Sequence, residues 1–259
     1  MFKINHKKKQ LFKENGYVKL RVLENNNDFA KFLKSFENDL SIISIDNKLK
    51  DIGGYKSGNL NINPGKYGPW ILKILENINF KNYFEFLTND EFKNYKIIFG
   101  GNLNLKKSKK QLFHTDGNWN PRMIILNLAT TQIDDNNGPL EVIKSSHKEP
   151  IPYWRFLIKY FKKDGKIKLD LKVGEVIIRE HRLWHRATSN RSTNNREMLS
   201  LMLLKTDKTI DSYSEFKENE IRFYDNMYDK SFKGKLREFL FVNLKFVLVF
   251  YKVILSIIK

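Results

Sequence analysis

Two rhythms of apolar residues divide the chain. Residues 26–40, behind an Asn/Asp cap, and 70–78 and 83–87 carry them at helical spacing and are expected as helices outside a sheet. Residues 17–23 alternate enough to form a strand ahead of them. From residue 96 the apolar runs shorten. Those at 97–99, 103–105, 112–114, 123–131, 140–143, 175–178 and 198–205 are β-rich and separated by Gly, Pro, Asn and Asp. Many short strands without alternating helices predict a mainly β fold with flanking helices (α+β), its core a jelly roll. Such a double sheet can hold a metal inside while its loops shape substrate entry. Residues 153–161 are expected as an aromatic helix or loop acting as lid or packing element, and 162–165 as a turn. The charge run 6–9 reads as a solvated or frayed start. Gly53-Gly54-Tyr55-Lys56-Ser57-Gly58-Asn59 is turn-rich and too polar for core, so it is a surface loop or a flap.

The pattern changes once more at the end. Residues 239–258 are almost wholly apolar, and Lys245, Lys252, Ser256 and Lys259 form one thin polar stripe on a helix. Two central lysines make a membrane span costly. A wide apolar face with a lysine stripe suits a helix lying in the interface of an anionic membrane, helped by Lys233, Lys235 and Arg237. The alternative is a helix buried against the barrel or in a dimer. The expected division is a jelly-roll domain at 1–215 and a basic, apolar helical extension at 216–259, with 233–259 the membrane-facing part.

Composition adds three constraints. A chain of 259 residues can bury one sizeable core. It has no cysteine, so any metal must be held by His and carboxylate. The net charge of +18 favours anionic neighbours. No apolar stretch follows the basic residues 1–9, which makes the cytoplasm the expected compartment, with peripheral placement on the inner face of the membrane.

Candidate chemistry starts at His114-Thr115-Asp116. On an extended segment, residues two apart point to one side, so the pair can grip one ion. Imidazole and carboxylate suit Fe(II), and a second His would complete a two-His-one-carboxylate triad with open positions. His185 is the candidate. His181 competes, but only His185 has Trp184 before it and Arg196 eleven residues after it. The planar fork of an Arg at a strand mouth suits a dicarboxylate.

These residues, with Asn137-Gly138-Pro139-Leu140, Ser146-His147-Lys148, Leu183-Trp184-His185, Asn190-Arg191-Ser192 and Leu11-Phe12 leading to Gly16-Tyr17-Val18, resemble the phytanoyl-CoA dioxygenase family over roughly residues 10–206. Lys144-Ser145 departs from that family's usual Pro-Gly, altering a turn and no ligand. The resemblance implies an Fe(II)- and 2-oxoglutarate-dependent oxygenase using O2, built on a double-stranded β-helix (cupin-like jelly roll) core, with His114, Asp116 and His185 on the iron and Arg196 on the distal carboxylate of 2-oxoglutarate. It implies hydroxylation of a C–H bond in a small or lipid-linked molecule, with release of succinate and CO2.

Secondary candidates surround this set. An amide of Asn102, Asn104 or Asn127 could bond the C1 carboxylate of the co-substrate. Tyr55, Lys56 and Asn59 could line the pocket, as segments upstream of the first ligand do in related oxygenases. Trp119 and Arg122 could border substrate, and His147 reads as structural. Nucleic acid is disfavoured as substrate, because Met202 stands where the superfamily's nucleic-acid demethylases carry a second Arg. Halogenation is disfavoured by the presence of Asp116. The rival class is a silent, membrane-bound jelly-roll binding protein.

Overall fold

A computed structural model describes residues 1–160, 165–206 and 220–258. The end of the expected lid at 161, most of the expected turn at 162–165 and the expected domain boundary at 215/216 lie outside these residues.

The helical rhythm condenses into α1 (His6–Asn15), α2 (Asn27–Ile43), α3 (Asp46–Leu49), α4 (Tyr67–Asn77) and α5 (Phe80–Thr88). The first of these keeps the expected solvated run 6–9 but corrects the frayed alternative. Asn5 accepts from the Lys8 N–H, Gly16 closes the helix at φ 83° with its N–H on the Phe12 carbonyl, and Phe12 is buried. On α2 the apolar stripe buries Phe29, Phe32, Phe36 and Leu40. The Phe32 ring meets Tyr67 and Trp70 of α4 edge-on, with centroids 5.6 and 5.5 Å away.

The strands are β1 (Tyr17–Arg21), β2 (Asn59–Asn63), β3 (Tyr95–Asn104), β4 (Met123–Leu128), β5 (Leu140–Ile143), β6 (Lys166–Leu169), β7 (Glu175–Glu180), β8 (His185–Ala187), β9 (Arg196–Lys205) and β10 (Arg222–Tyr224). They form a seven-stranded sheet ordered β1-β7-β4-β9-β3-β2-β10 and a three-stranded sheet ordered β6-β5-β8. Every pairing among the described strands is antiparallel. The expected strands 97–99 and 103–105 are one ten-residue strand, β3. Its central glycines continue the ladder instead of breaking it, since a Cβ at Gly101 would stand 2.8 Å from the Met198 carbonyl of β9.

Alternation along the large sheet sorts its side chains into two cores. Ile124, Leu126 and Leu128 of β4, Val176 and Ile178 of β7, and Leu199, Leu201 and Leu203 of β9 face the helices. Ile177 and Met198 face the small sheet, meeting Leu140, Val142 and Leu183. The same alternation turns Asn102 and Asn104 of β3, Asn127 of β4, Arg179 of β7, and Arg196 and Ser200 of β9 toward the space between the sheets. A polar wall is thus written into otherwise apolar strands.

The C-terminal segment belongs to this body. Strand β10 pairs with β2. The expected single helix at 239–258 is two, α7 (Phe232–Asn243) and α8 (Lys245–Ile258), broken at Leu244 with φ −132° and ψ 52°. The loop expected at the surface or as a flap is instead clamped by this segment. Asp225 Oδ1 accepts from the Gly53 N–H at 2.7 Å, and Asn226 Nδ2 donates to the Asn59 carbonyl at 2.9 Å. Glu238 Oε1 accepts from the Ser57 N–H at 3.1 Å. Gly53 admits this approach because a Cβ there would lie 2.2 Å from the Tyr228 carbonyl. Among the described residues, no helix is long and apolar enough to cross a membrane.

Because Glu238 is buried and satisfies loop N–H groups, Glu238→Ala is expected to destabilise the protein by about 1–3 kcal/mol, the cost of stranding a buried donor. Urea denaturation of the two proteins checks this. A midpoint unchanged by the substitution would show that α7 does not hold the loop.

Candidate metal centre

The centre is built on an isolated antiparallel bridge between His114 and His185. His114 and His185 exchange backbone hydrogen bonds of 3.0 and 2.9 Å, and the Asp116 N–H reaches the His181 carbonyl at 3.0 Å. Opposed residues on such a pair bring their side chains close, and the two imidazole centroids are 4.5 Å apart. Asp116, two residues beyond His114, comes to the same side. One donor atom from each of His114, Asp116 and His185 lies within 4.8 Å of the others.

Each imidazole is oriented by its own strand. His114 Nδ1 is 2.9 Å from the Leu112 carbonyl and His185 Nδ1 is 2.8 Å from the Leu183 carbonyl. These contacts fix Nδ1 as the protonated nitrogen and leave both Nε2 lone pairs for the centre. The carboxylate completes it, with Oδ2 3.4 Å from His185 Nε2 and Oδ1 3.9 Å from His114 Nε2.

Arg179 sets the charge of the cluster. Its Nη2 lies 2.8 Å from Asp116 Oδ2, and its Nε donates to Asn127 Oδ1 at 2.9 Å. Burial alone would raise the Asp116 pKa, but His185, Arg179 and His114 hold it below the usual carboxylate range. Desolvation and the neighbouring Arg179 charge push His185 down to about 3, and desolvation lowers His114 as well. Both imidazoles are therefore neutral ligands at ordinary pH, beside an ionised carboxylate.

This predicts a pH dependence of stability. A histidine whose pKa is lower in the folded protein than in the unfolded chain binds its proton only on unfolding. Its contribution is complete above about pH 6.5 and is lost as the pH falls toward the folded value of about 3. Asp116 adds to the same trend at lower pH, because its depressed pKa stabilises the fold only while the carboxylate is ionised. The urea midpoint of metal-free protein is expected to fall steadily from pH 7.5 to 4.5, and less steeply in His185→Gln. Equal slopes in the two proteins would contradict the burial of a neutral His185.

Arg196 lies behind the cluster on β9, fully buried, with Nη1 donating to Asn102 Oδ1 and Nη2 to the Gly138 carbonyl, each at 2.7 Å. Burial lowers its pKa to about 10. Asn102 therefore positions this guanidinium. The placement of Asn127 departs from the expected contact with co-substrate, because its Oδ1 takes Arg179 and its Nδ2 donates to Ser200 Oγ at 2.8 Å. It braces the arginine that grips Asp116. Arg179 Nη1, Arg196 Nε and Asn104 Nδ2 are buried donors without a partner among the described residues. Three orphaned donors on one wall, beside two neutral imidazoles and a carboxylate, fit a divalent metal with a dianionic co-substrate.

The remaining candidates lie apart from this centre. Tyr55 packs against the helix-side core, Lys56 is exposed, and Asn59 is buried on β2 with Nδ2 donating to the Ser57 and Lys109 carbonyls. They form the clamped loop, not a pocket wall. Arg122 pairs with Glu180 at 2.5 Å, and the Trp119 ring lies under the Arg182 guanidinium, 4.7 Å from its centroid. His181 is held by backbone at both nitrogens. Its Nδ1 accepts from the Met123 N–H at 3.0 Å and its Nε2 lies 2.9 Å from the Asn118 carbonyl, which leaves His185 as the distal histidine. Sequence reasoning missed Arg179. Its signal was a charged residue two positions after Ile177, on the inward phase of a buried strand.

Residues 99–198, which include His114, Asp116, His185 and Arg196, match the family model for phytanoyl-CoA dioxygenase (PhyH). Among curated protein sequences, none matches. Solved structures share the fold at low identity. The non-heme alpha ketoglutarate dependent carbocyclase SnoK from nogalamycin biosynthesis aligns with TM-score 0.62 and 13% identity, over 85% of this chain and 96% of its own. EvdO2 from Micromonospora carbonacea var. aurantiaca, complexed with 2-oxoglutarate, aligns with TM-score 0.59 and 11% identity, over 83% and 96%. EctD from S. alaskensis with bound Fe aligns with TM-score 0.59 and 18% identity, over 78% and 77%. Family match and fold together support a phytanoyl-CoA dioxygenase-like, non-haem iron, 2-oxoglutarate-dependent oxygenase, with the four residues of the His114, Asp116, His185 and Arg196 set inside the matched stretch.

Proposed function

We propose that the chain hydroxylates a C–H bond of a small or lipid-linked molecule, consuming O2 and 2-oxoglutarate and releasing succinate and CO2. The observation that carries this reading is the convergence of His114 Nε2, His185 Nε2 and the Asp116 carboxylate on one point. His114, Asp116 and His185 hold the iron, which supplies the activation of O2 when bound. Arg179 grips Asp116 Oδ2 and so limits how the carboxylate can turn. Arg196, set by Asn102 and Gly138, neutralises the far carboxylate of the co-substrate. Burial of both arginines excludes water from the inner wall, which strengthens each contact they make.

Anaerobic absorption spectroscopy tests the reading. Protein with Fe(II) is expected to develop a visible metal-to-ligand charge-transfer band on addition of 2-oxoglutarate, and to form succinate when O2 is admitted. Absence of the band in folded, iron-loaded protein would overturn the assignment and favour a silent binding protein.

A second observation concerns location. Phe232, Phe239, Phe246, Phe250 and Ile257 of α7 and α8 are exposed, next to the exposed Lys233 and Lys235. An apolar face bordered by lysines is complementary to an anionic lipid surface, and we assign that occupant to it, on the inner face of the membrane. Sedimentation with vesicles containing phosphatidylserine is expected to carry the protein down, whereas Phe246→Ser with Phe250→Ser leaves it in solution. Equal recovery on neutral vesicles would remove the electrostatic part of this assignment.

A further inference from the structure

A cleft of about 260 Å³ opens beside His114, walled by Phe113, Thr115, Tyr153, Trp184 and, from α8, Lys252 and Ser256. Its roof is made in an unexpected sense, for α8 turns its polar stripe toward the protein. Lys245 Nζ donates to the Lys110 carbonyl, and Ser256 Oγ accepts from the Trp154 N–H at 3.1 Å, on α6 (Tyr153–Tyr160). Lys252 Nζ stands over the Tyr153 ring, 5.4 Å from its centroid. The apolar positions Phe246 and Phe250 point away and are 71% and 66% exposed. A helix that covers its lysines and exposes its phenylalanines forgoes apolar burial, so the inward lysine needs a compensating role.

Lys252 has no carboxylate partner among the described residues. Burial lowers its pKa, and the charged group acting on it is another cation, Arg237. A covered ammonium without a counter-charge is costly unless a ligand brings one. The aromatic rings beside it offer apolar contact and a weak cation–π attraction, not neutralisation.

We propose that Lys252 anchors an anionic group of the substrate. The molecule oxidised carries a carboxylate or a phosphate that docks on Lys252 beneath α8, while its apolar part lies against Phe113, Tyr153 and Trp184. This rests on the oxygenase reading of the same site, and it makes the C-terminal helix a specificity element. A neutral analogue leaves the ammonium unpaired and binds through its apolar part alone, more weakly than the anion.

Calorimetric titration of the metal-free full chain with octanoate, octyl phosphate and octan-1-ol tests this. Lys252→Met keeps the aliphatic stem and removes the charge, and a change at the exposed Ile254, Ile254→Ser, controls for altered helix packing. Lys252→Met is expected to weaken at least one anion by about tenfold or more, the loss of a charge-assisted contact, and to leave octan-1-ol unchanged. Ile254→Ser is expected to leave all three affinities unchanged. A larger loss for octyl phosphate assigns a phosphate ester, and a larger loss for octanoate assigns a carboxylic acid. Wild-type protein that binds neither anion, or a Lys252→Met variant that binds both as tightly as wild type, overturns the proposal. So does equal weakening of the alcohol and the anions. Because the titration contains no iron, its failure leaves the charge-transfer band untouched, and an absent band leaves the titration readable.

Discussion

Asp116→Ala is expected to abolish iron(II) retention and co-substrate turnover in a protein that still folds. Two effects act in the same direction. The substitution removes the only carboxylate of the cluster, leaving two neutral imidazoles as donors. It also uncovers Arg179, whose Nη2 is 2.8 Å from the carboxylate it neutralises, so a guanidinium charge then faces the incoming cation. Loss of an outer partner typically weakens a metal site about 10- to 100-fold, and losing a ligand while exposing a like charge exceeds that range. Iron binding should therefore fall by more than about a hundredfold. Arg179→Met separates the two effects. It keeps the ligand and removes the brace, so its loss should stay within the outer-partner range. Equilibrium dialysis against iron(II) gives both numbers. Wild-type iron content in Asp116→Ala would rule out these three residues as the metal site.

How much of this was legible in sequence depends on the range of the signal. His114-x-Asp116 works through strand geometry over two residues, so the motif fixed the geometry of that pair without any knowledge of the fold. Distal His185 needed its neighbours Trp184 and Arg196 to be separated from His181, and the backbone bonds at both His181 nitrogens show why that choice matters physically. Asn127 and Arg179 were harder. Alternation places both on the inner wall, yet which of them meets a ligand depends on a cross-strand bond between β4 and β7 that no local pattern encodes. Tyr55, Lys56 and Asn59 read as a flap because Gly and polar residues usually mark open loops. Here the glycines serve close approach of the 225–238 segment, a contact between parts of the chain far apart in sequence. Amphipathicity identified the stripe on α8, whereas which face meets the protein was set by the cleft beneath it.

The second large effect is expected at Arg196, which competes with Arg179 for the role of co-substrate anchor. Both arginines are buried on the inner wall, but their charges are not equally satisfied. Arg179 is neutralised by Asp116, whereas no described carboxylate pairs with Arg196, whose bonds go to an amide oxygen and a carbonyl. A fully buried guanidinium that has a spare Nε and feels the Glu197 carboxylate without pairing with it directly is costly in the absence of an anion, and the far carboxylate of 2-oxoglutarate supplies that charge. Arg196→Lys keeps a cation but loses the planar fork that spans two partners, so KM for 2-oxoglutarate is expected to rise about 10- to 100-fold, with kcat changed far less. That split follows because the anchored carboxylate is remote from the reacting atoms and is bound equally in ground and transition states. Arg196→Met should raise KM further. It should also cost about 1–3 kcal/mol of stability, because Asn102 Oδ1 and the Gly138 carbonyl lose their donor. Succinate formation measured against 2-oxoglutarate concentration gives the kinetic part, and urea denaturation gives the other. If KM is unmoved in Arg196→Lys and rises instead in Arg179→Met, the anchor is Arg179, and Asp116 must then share its guanidinium with the co-substrate.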